Sequence, residues 1–437
     1  MAGYKISRRE FLRVTALSGA GLVIGCAANP VTGKSQLMLI SEDTEIKIDR
    51  QHSPHQFSAD YGIVQDMPLN NYLEKTGKAL ASRTHRPHMP YSFKAVNAAY
   101  VNAYTFPGGS VAATRGILLN LDNEAELAGL LGHELGHVNA RHTAEQMSKT
   151  MLASSVIGGA ARLTGTAFSN LAAKLGMLGA GILLASYSRD NEREADALGM
   201  EYMVRAGYTP KGLVGLMEML RGMSRHKPGA IELMFATHPM SDERYKTAET
   251  ASQRRYESAL NLPIHRDRYM DHTAELRKIR GAIEEMQNGD GSMARQQYSQ
   301  AEGHFLKALK AAPGDYAGLV MMSKCQLIQE KYDEALRYAE TAKQIYPEEA
   351  QAHHISGFIN IRQGKYDSAF QEFSTYEALL PGNPNTLFYK GLSQEGMKKI
   401  KEAAEHYYGY LQLVNQGKQA EHAYGRLIEW GYLKPKK

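Results

Sequence analysis

The stretch from Asn123 to His142, N-E-A-E-L-A-G-L-L-G-H-E-L-G-H-V-N-A-R-H, constrains this chain more than any other. Asn123 can cap a helix, and Glu124 and Glu126 fall in its first turn, where the helix dipole favours negative charge. Leu127, Leu130, Leu131, Leu135 and Val138 recur at helical spacing. A helix this apolar takes His133, Glu134 and His137 into the interior, where polar groups need partners. Residues four apart lie one above the other on a helix. His133 and His137 can therefore face one metal ion, with Glu134 placed to act on a nearby water as general base. The competing reading is a pair of surface histidines. The apolar context and an acidic motif further on argue against it.

That second motif is S-R-D-N-E-R-E-A-D at 188–196. A zinc hydrolase wants three protein ligands and one open position. Glu192, Glu194 and Asp196 are all candidates for the third. Glu192 and Asp196 are four apart and share a face, so one can ligate while the other orients a ligand histidine. Glu194 points elsewhere and, like Asp190, suits a solvated helix start. His142, nine residues after His133, falls on roughly the opposite helix face and reads as structural. His85 and His88 lie near turn prolines and read as exposed.

Ahead of the histidine helix, residues 91–119 read as strands broken by a turn. Phe93 to Val96 is short and apolar, Tyr100 to Thr105 alternates, Pro107-Gly108-Gly109 turns the chain, and Val111 to Leu119 resumes strand character. Asn102, Ala103 and Tyr104, with Thr105, are the candidate edge to which an extended peptide could add; an internal hairpin is the equal alternative. Residues 150–186 are rich in Ala, Gly, Leu and Met, without a clean run of 18 apolar residues. They suit a helix pair covering the site, one touching a lipid surface, or ordinary core helices.

Taken together, N-P-V-T-G at 29–33, N-A-Y-T-F-P-G-G at 102–109, the extended helix at 126–142, S-R-D-N-E-R-E-A-D at 188–196 and T-H-P at 237–239 resemble the BepA/HtpX-type zinc metallopeptidases, over roughly residues 29–250. This is the gluzincin group that also includes the CAAX prenyl proteases. The resemblance implies an α+β zincin-like domain, mostly helical with a small sheet and an edge strand. It implies one zinc per chain on His133, His137 and Glu192, with Glu134 as catalytic base and Asp196 as a supporting carboxylate or proton donor. His238 matches a histidine that can approach the zinc and restrain activity. Arg244, in D-E-R-Y at 242–245, matches a basic residue near the active site. Other branches carry transmembrane helices; their lack here favours the lipoprotein branch.

The N-terminus agrees with that branch. Residues 1–25 read as an export signal, with charges first and then a short apolar run from Val14 to Gly25. Ser7-Arg8-Arg9-Glu10-Phe11-Leu12 resembles a twin-arginine motif. Val23-Ile24-Gly25-Cys26 resembles a lipoprotein box, which implies acylation of Cys26; Ala27 leans towards the outer membrane of a cell with two membranes. The net charge of +5 owes +3 to this segment (Lys5, Arg8, Arg9 and Arg13 against Glu10), so no nucleic-acid footprint follows. The other of the two cysteines, Cys325, reads as a small buried residue.

From about residue 270 the pattern changes. A charged helix at 270–287 is followed by Asn288, Gly289 and Gly291, which read as a break. Ala301, Ala335, Ala369 and Ala403 then recur every 34 residues, as do Pro313, Pro347 and Pro381. Gly357 and Gly391, and Phe305, Phe373 and Tyr407, keep the same step. This resembles tetratricopeptide repeats: about four units and a capping helix at 417–430, forming an all-α solenoid with a concave surface for a protein partner. The expected division is 26–265 for the peptidase domain and 266–437 for the repeats. The expected function is a lipid-anchored zinc endopeptidase on the periplasmic face of the envelope, in quality control or assembly of outer-membrane or periplasmic proteins. Its substrates would be unfolded or misassembled polypeptides. The alternative is a latent, gated protease acting mainly as a chaperone or adaptor through the repeats.

Overall fold

The computed structural model describes residues 26–157, 187–226 and 228–434. The export signal and most of the 150–186 stretch lie outside the described residues. Two short strands, β1 (Cys26–Ala28) and β2 (Ser35–Leu37), pair antiparallel around the N-P-V-T-G turn. Helices α1 (Glu42–Ala59) and α2 (Met67–Ala81) follow, each started by a side chain that accepts from the first turn, Ser41 and Asp66.

A three-stranded sheet comes next: β3 (Ser92–Val96), β4 (Ala103–Thr105) and β5 (Ser110–Thr114), in the order β3-β5-β4. β3 runs parallel to β5, and β4 antiparallel, with Tyr104 opposite Ala112. The Asn102–Thr105 segment is thus one arm of a hairpin and also an edge of the sheet. Strand character ends at Thr114, short of the Leu119 expected. The Thr114 hydroxyl accepts from Ile117 N and starts a short helix, Arg115–Leu118.

The histidine helix, α3, spans Glu124–Asn139 and is capped by Asn123. It is buried along nearly its whole length. Helices α4 (His142–Ile157), α5 (Arg189–Arg205), α6 (Lys211–His226), α7 (Pro228–Thr237) and α8 (Asp242–Arg254) complete this part. α3 and α5 meet backbone to backbone. A Cβ on Gly132 would lie 2.8 Å from Gly199 O, and one on Gly136 2.8 Å from Ala195 Cα. No helix among the described residues is long and apolar enough to cross a membrane.

Four helix pairs follow: α9 (Arg280–Ala294) with α10 (Tyr298–Ala311), α11 (Tyr316–Ile328) with α12 (Tyr332–Ile345), α13 (Gln351–Arg362) with α14 (Tyr366–Leu379), and α15 (Pro384–Gly396) with α16 (Ile400–Leu413). α17 (Lys418–Glu429) covers the last pair. The expected break at Asn288–Gly291 lies inside α9. Gly289 is where Phe305 packs, at 2.3 Å from an added Cβ, and its counterparts along the array are Ser323, Gly357 and Gly391. The turn falls instead at Arg295–Gln297. Cys325 is buried, as read from the sequence.

The repeats are not hung on a free linker. One apolar cluster runs from Leu127, Leu130 and Leu131 of α3 through Tyr269 to Ile283, Met286 and Phe305. Arg115, at the end of β5, forms a buried ion pair with Asp315, the cap of α11. Ser58 of α1 and Tyr316 of α11 both donate to Glu349.

Candidate metal centre

Three elements bring the site together. α3 supplies His133, Glu134 and His137, all buried. α5 supplies Glu192 and Asp196 from the helix that crosses at the glycine seam. The end of α7 supplies His238, whose N–H donates to Met234 O at 2.7 Å. His133, His137, Glu192 and His238 each offer one donor atom, all within 4.8 Å of one another.

The spacing fits a tetrahedral ion. Bonds of about 2.0–2.1 Å set ligand atoms roughly 3.3 Å apart. His137 Nε2 and His133 Nε2 are 3.1 Å apart, His133 Nε2 and His238 Nδ1 3.3 Å, and His137 Nε2 and Glu192 Oε1 3.3 Å. His238 Nδ1 to Glu192 Oε1 is 3.0 Å. The far nitrogen of His133, Nδ1, lies 3.0 Å from Asp196 Oδ1 and donates to it. That leaves a lone pair on Nε2, pointed at His137 Nε2. Two imidazole lone pairs at this separation repel unless a cation lies between them. The donor set, two or three imidazoles and a carboxylate, is that of zinc.

The electrostatics separate the acids. Burial raises the Glu134 pKa, partly opposed by His238 and His133. Neither of its oxygens has a hydrogen-bond partner among the described residues. Burial also opposes the charged forms of Glu192 and Asp196. His238 and His137 outweigh it at Glu192, and Arg244 and His133 at Asp196, so both carboxyls stay below the usual range. Arg244 Nε and Nη2 hold both oxygens of Asp196 at 2.7 and 2.8 Å. Its Nη1 meets Glu192 Oε2 at 2.6 Å and donates to Pro239 O at 2.9 Å. Arg244 is therefore tied to the acids and to the T-H-P loop at once. Leu130, Leu213, Leu216, Met217 and Met234 line an apolar recess that reaches His133 and His238.

Two residues stand differently from their sequence reading. His142 is not on the far face of the histidine helix. That helix stops at Asn139, Arg141 takes a left-handed φ of 60°, and His142 returns with Nδ1 3.0 Å from His137 Nδ1. Glu194 is not a solvated acid, for its Oε2 lies 3.2 Å from His142 Nε2. Asp190, by contrast, is exposed and pairs with Arg193. His85 and His88 are exposed as expected. Tyr187, not singled out in the sequence, stacks on His137 at 3.8 Å between ring centres.

This arrangement of two helices around H-E-x-x-H agrees with the comparison to known families, where Peptidase family M48 matches residues 68–252. The chain carries a peptidase family M48 domain. This family is zinc-dependent. The chain is 29% identical over 225 residues to the beta-barrel assembly-enhancing protease of Yersinia pestis, covering 50% of this chain and 46% of that protein. It is 33% identical over 172 residues to the metalloprotease YcaL of Escherichia coli (strain K12), covering 39% of this chain and 65% of that protein. The chain spans from about half to just under two thirds of the length of the beta-barrel assembly-enhancing proteases it matches. Among solved structures, a MamA double mutant overlaps 35% of this chain and 85% of its own at 14% identity, with a TM-score of 0.33.

Proposed function

We propose that this chain is a zinc-dependent endopeptidase held closed at its metal by His238. The observation that carries the reading is the buried four-donor cluster with the unpartnered carboxylate of Glu134 beside it. His133, His137 and Glu192 would hold the ion, and His238 Nδ1 takes the fourth position, which a hydrolase needs open. When bound, zinc acidifies a water and polarises the scissile carbonyl. Glu134 takes the proton of the attacking water and returns it to the leaving amine; its raised pKa suits a base that must also give the proton back. Asp196 orients His133 and is itself held by Arg244.

Substrate would lie along β4. Phe106 N donates to Ser110 O, and Thr114 N to Asn102 O, so Asn102, Tyr104 and Phe106 turn their backbone groups towards β5. Those of Ala103 and Thr105 face the sheet's outer edge, which is buried here, so an extended peptide can pair there only once that edge is uncovered. Before it can, the T-H-P loop must withdraw His238. In the cell, the reading is a lipoprotein anchored at Cys26 on the periplasmic face of the outer membrane, exported through the twin-arginine motif. It would act on unfolded or misassembled envelope proteins, with the repeats docking a protein partner. The name of its relatives, beta-barrel assembly-enhancing protease, supports that setting. His238 inside the donor set also supports a second reading, a mostly latent protease whose repeats act as an adaptor.

The test is metal analysis of the purified chain with casein cleavage by the parent, Glu134→Gln and His238→Ala. One zinc per chain, activity lost in the first variant and raised in the second are expected. Zinc without cleavage in any of the three favours the adaptor; no zinc in the parent removes the metal reading itself.

A further inference from the structure

Behind His137 the site continues through residues that the proposed reaction does not use. His137 turns Nε2 into the donor cluster, so its proton sits on Nδ1. That nitrogen donates to His142 Nδ1 at 3.0 Å. His142 therefore carries its own proton on Nε2, which donates to Glu194 Oε2 at 3.2 Å. The other oxygen of Glu194 accepts from Asn29 Nδ2 at 3.4 Å. Asn29 is held by its own turn, its Oδ1 accepting from Val31 N at 2.8 Å and Thr32 N at 3.1 Å. Its Nδ2 also reaches Gln36 Oε1 of β2 at 3.0 Å. Each donor finds an acceptor, and the tautomers follow from one another without conflict.

The two ligand histidines are thus backed unequally. His133 has a carboxylate directly on its Nδ1. His137 has a neutral imidazole there, with the carboxylate one ring further away. His142 is 2% exposed, and Tyr187 stacks on the His137 ring, so both the plane and the tilt of that ring are fixed. We propose that His142 is a positioning residue for the metal. With Glu194 it sets the tautomer and orientation of His137, and Asn29 ties that chain to the N-terminal hairpin. The N-P-V-T-G turn then has a task at the metal centre, and all three candidate acids of α5 serve it: Glu192 in the donor set, Asp196 behind His133, Glu194 behind His142.

This inference rests on the metal-site reading above, and one experiment separates the two. Zinc affinity is measured by chelator competition on the full chain for the parent, His142→Ala, Glu194→Gln and Asn29→Ala. The melting temperature of each metal-free protein serves as the control for folding. The visible spectrum of each cobalt-loaded protein reports the ligand field. Loss of the backing group behind a metal-ligating histidine weakens affinity by about 10–100-fold. His142→Ala is expected to fall in that range with a changed cobalt spectrum and an unaltered metal-free melting temperature. Glu194→Gln and Asn29→Ala are expected to shift affinity in the same direction by less. A parent that binds no zinc defeats the metal-site reading itself. A parent that binds zinc, with a folded His142→Ala that binds it equally well, overturns only the positioning role. If His142→Ala does not fold, an unchanged affinity and cobalt spectrum in Glu194→Gln overturn it.

Discussion

Adding one methyl group at Gly136 should dismantle the metal centre while leaving every ligand in the sequence. A Cβ there would sit 2.8 Å from both Cα and O of Ala195, on the facing helix. Ordinary contact between such atoms begins at about 3.5 Å, so α3 and α5 must part by roughly 0.7 Å at this point. The obstacle is backbone, which cannot rotate aside as a side chain can. Gly136 lies between His133 and His137, and Ala195 between Glu192 and Asp196, so the separation opens directly across the donor set. A tetrahedral site tolerates bond changes of only about 0.2 Å. Alanine also removes glycine's penalty of about 1 kcal/mol in a helix interior, against an overpacking cost of about 1–3 kcal/mol. The net loss of stability is therefore small, roughly 0–2 kcal/mol. Gly136→Ala is expected to stay folded, to bind zinc at least tenfold more weakly by chelator competition, and to lose proteolysis with it. A variant that binds zinc like the parent would refute the claim that backbone contact at this seam sets the ligand spacing.

Arg115→Ala leaves Asp315 buried and unpaired between β5 and α11, which should cost about 3–5 kcal/mol and lower the urea midpoint of the whole chain; a midpoint unchanged from the parent would show that this pair does not hold the repeats to the peptidase. Burial, and then the charge of Lys324, push the His354 imidazole down to about 4. A depressed histidine contributes stability that is complete above about pH 6.5 and lost as pH falls towards 4, at most about 3 kcal/mol here. His354→Phe, which keeps the stack on Tyr376, should therefore shrink the fall in urea midpoint between pH 7 and pH 5. His52, also depressed to about 4, retains part of that fall, and an identical fall in both proteins would refute the assignment.

What the sequence disclosed was what is local. His133 and His137 are one helical turn apart, and Glu192 and Asp196 likewise, so helix geometry alone puts each pair on one face. The 34-residue step was legible because every repeat solves the same packing problem with the same residue types. Misreadings came where one residue type serves two ends. Gly289 resembles a helix break, yet it is where Phe305 packs, and only its register with Gly357 and Gly391 distinguishes the two. Thr114 reads as one more β-branched strand residue, yet its hydroxyl ends the strand by capping a helix. The contact of repeats with peptidase left no mark, because Arg115 and Asp315 are 200 residues apart.

His142 was misplaced for a different reason, and it explains how residues 29–45 reach the metal. Extending the histidine helix past Asn139 sends His142 to the far side. The reversal is made by Arg141, a non-glycine residue in the left-handed region, which sequence does not announce. Such a conformation persists only where the surroundings hold it. Arg141 Nη2 donates to Ile40 O at 2.7 Å, and its Nε lies 3.2 Å from Glu45. Glu45 also pairs with Arg86 at 2.7 Å, and Arg86 in turn donates to Val138 O, one of the last carbonyls of the histidine helix, at 2.7 Å. Two cations, Arg86 buried and Arg141 half-buried, thus stand at the negative end of that helix dipole, where positive charge stabilises it. Residues 40–45 fix the turn that returns His142 to His137, and the strands before them carry Asn29 to Glu194. The metal centre is therefore built on α3 and α5 but oriented by residues 29–45, nearly a hundred positions ahead of the ligand they adjust.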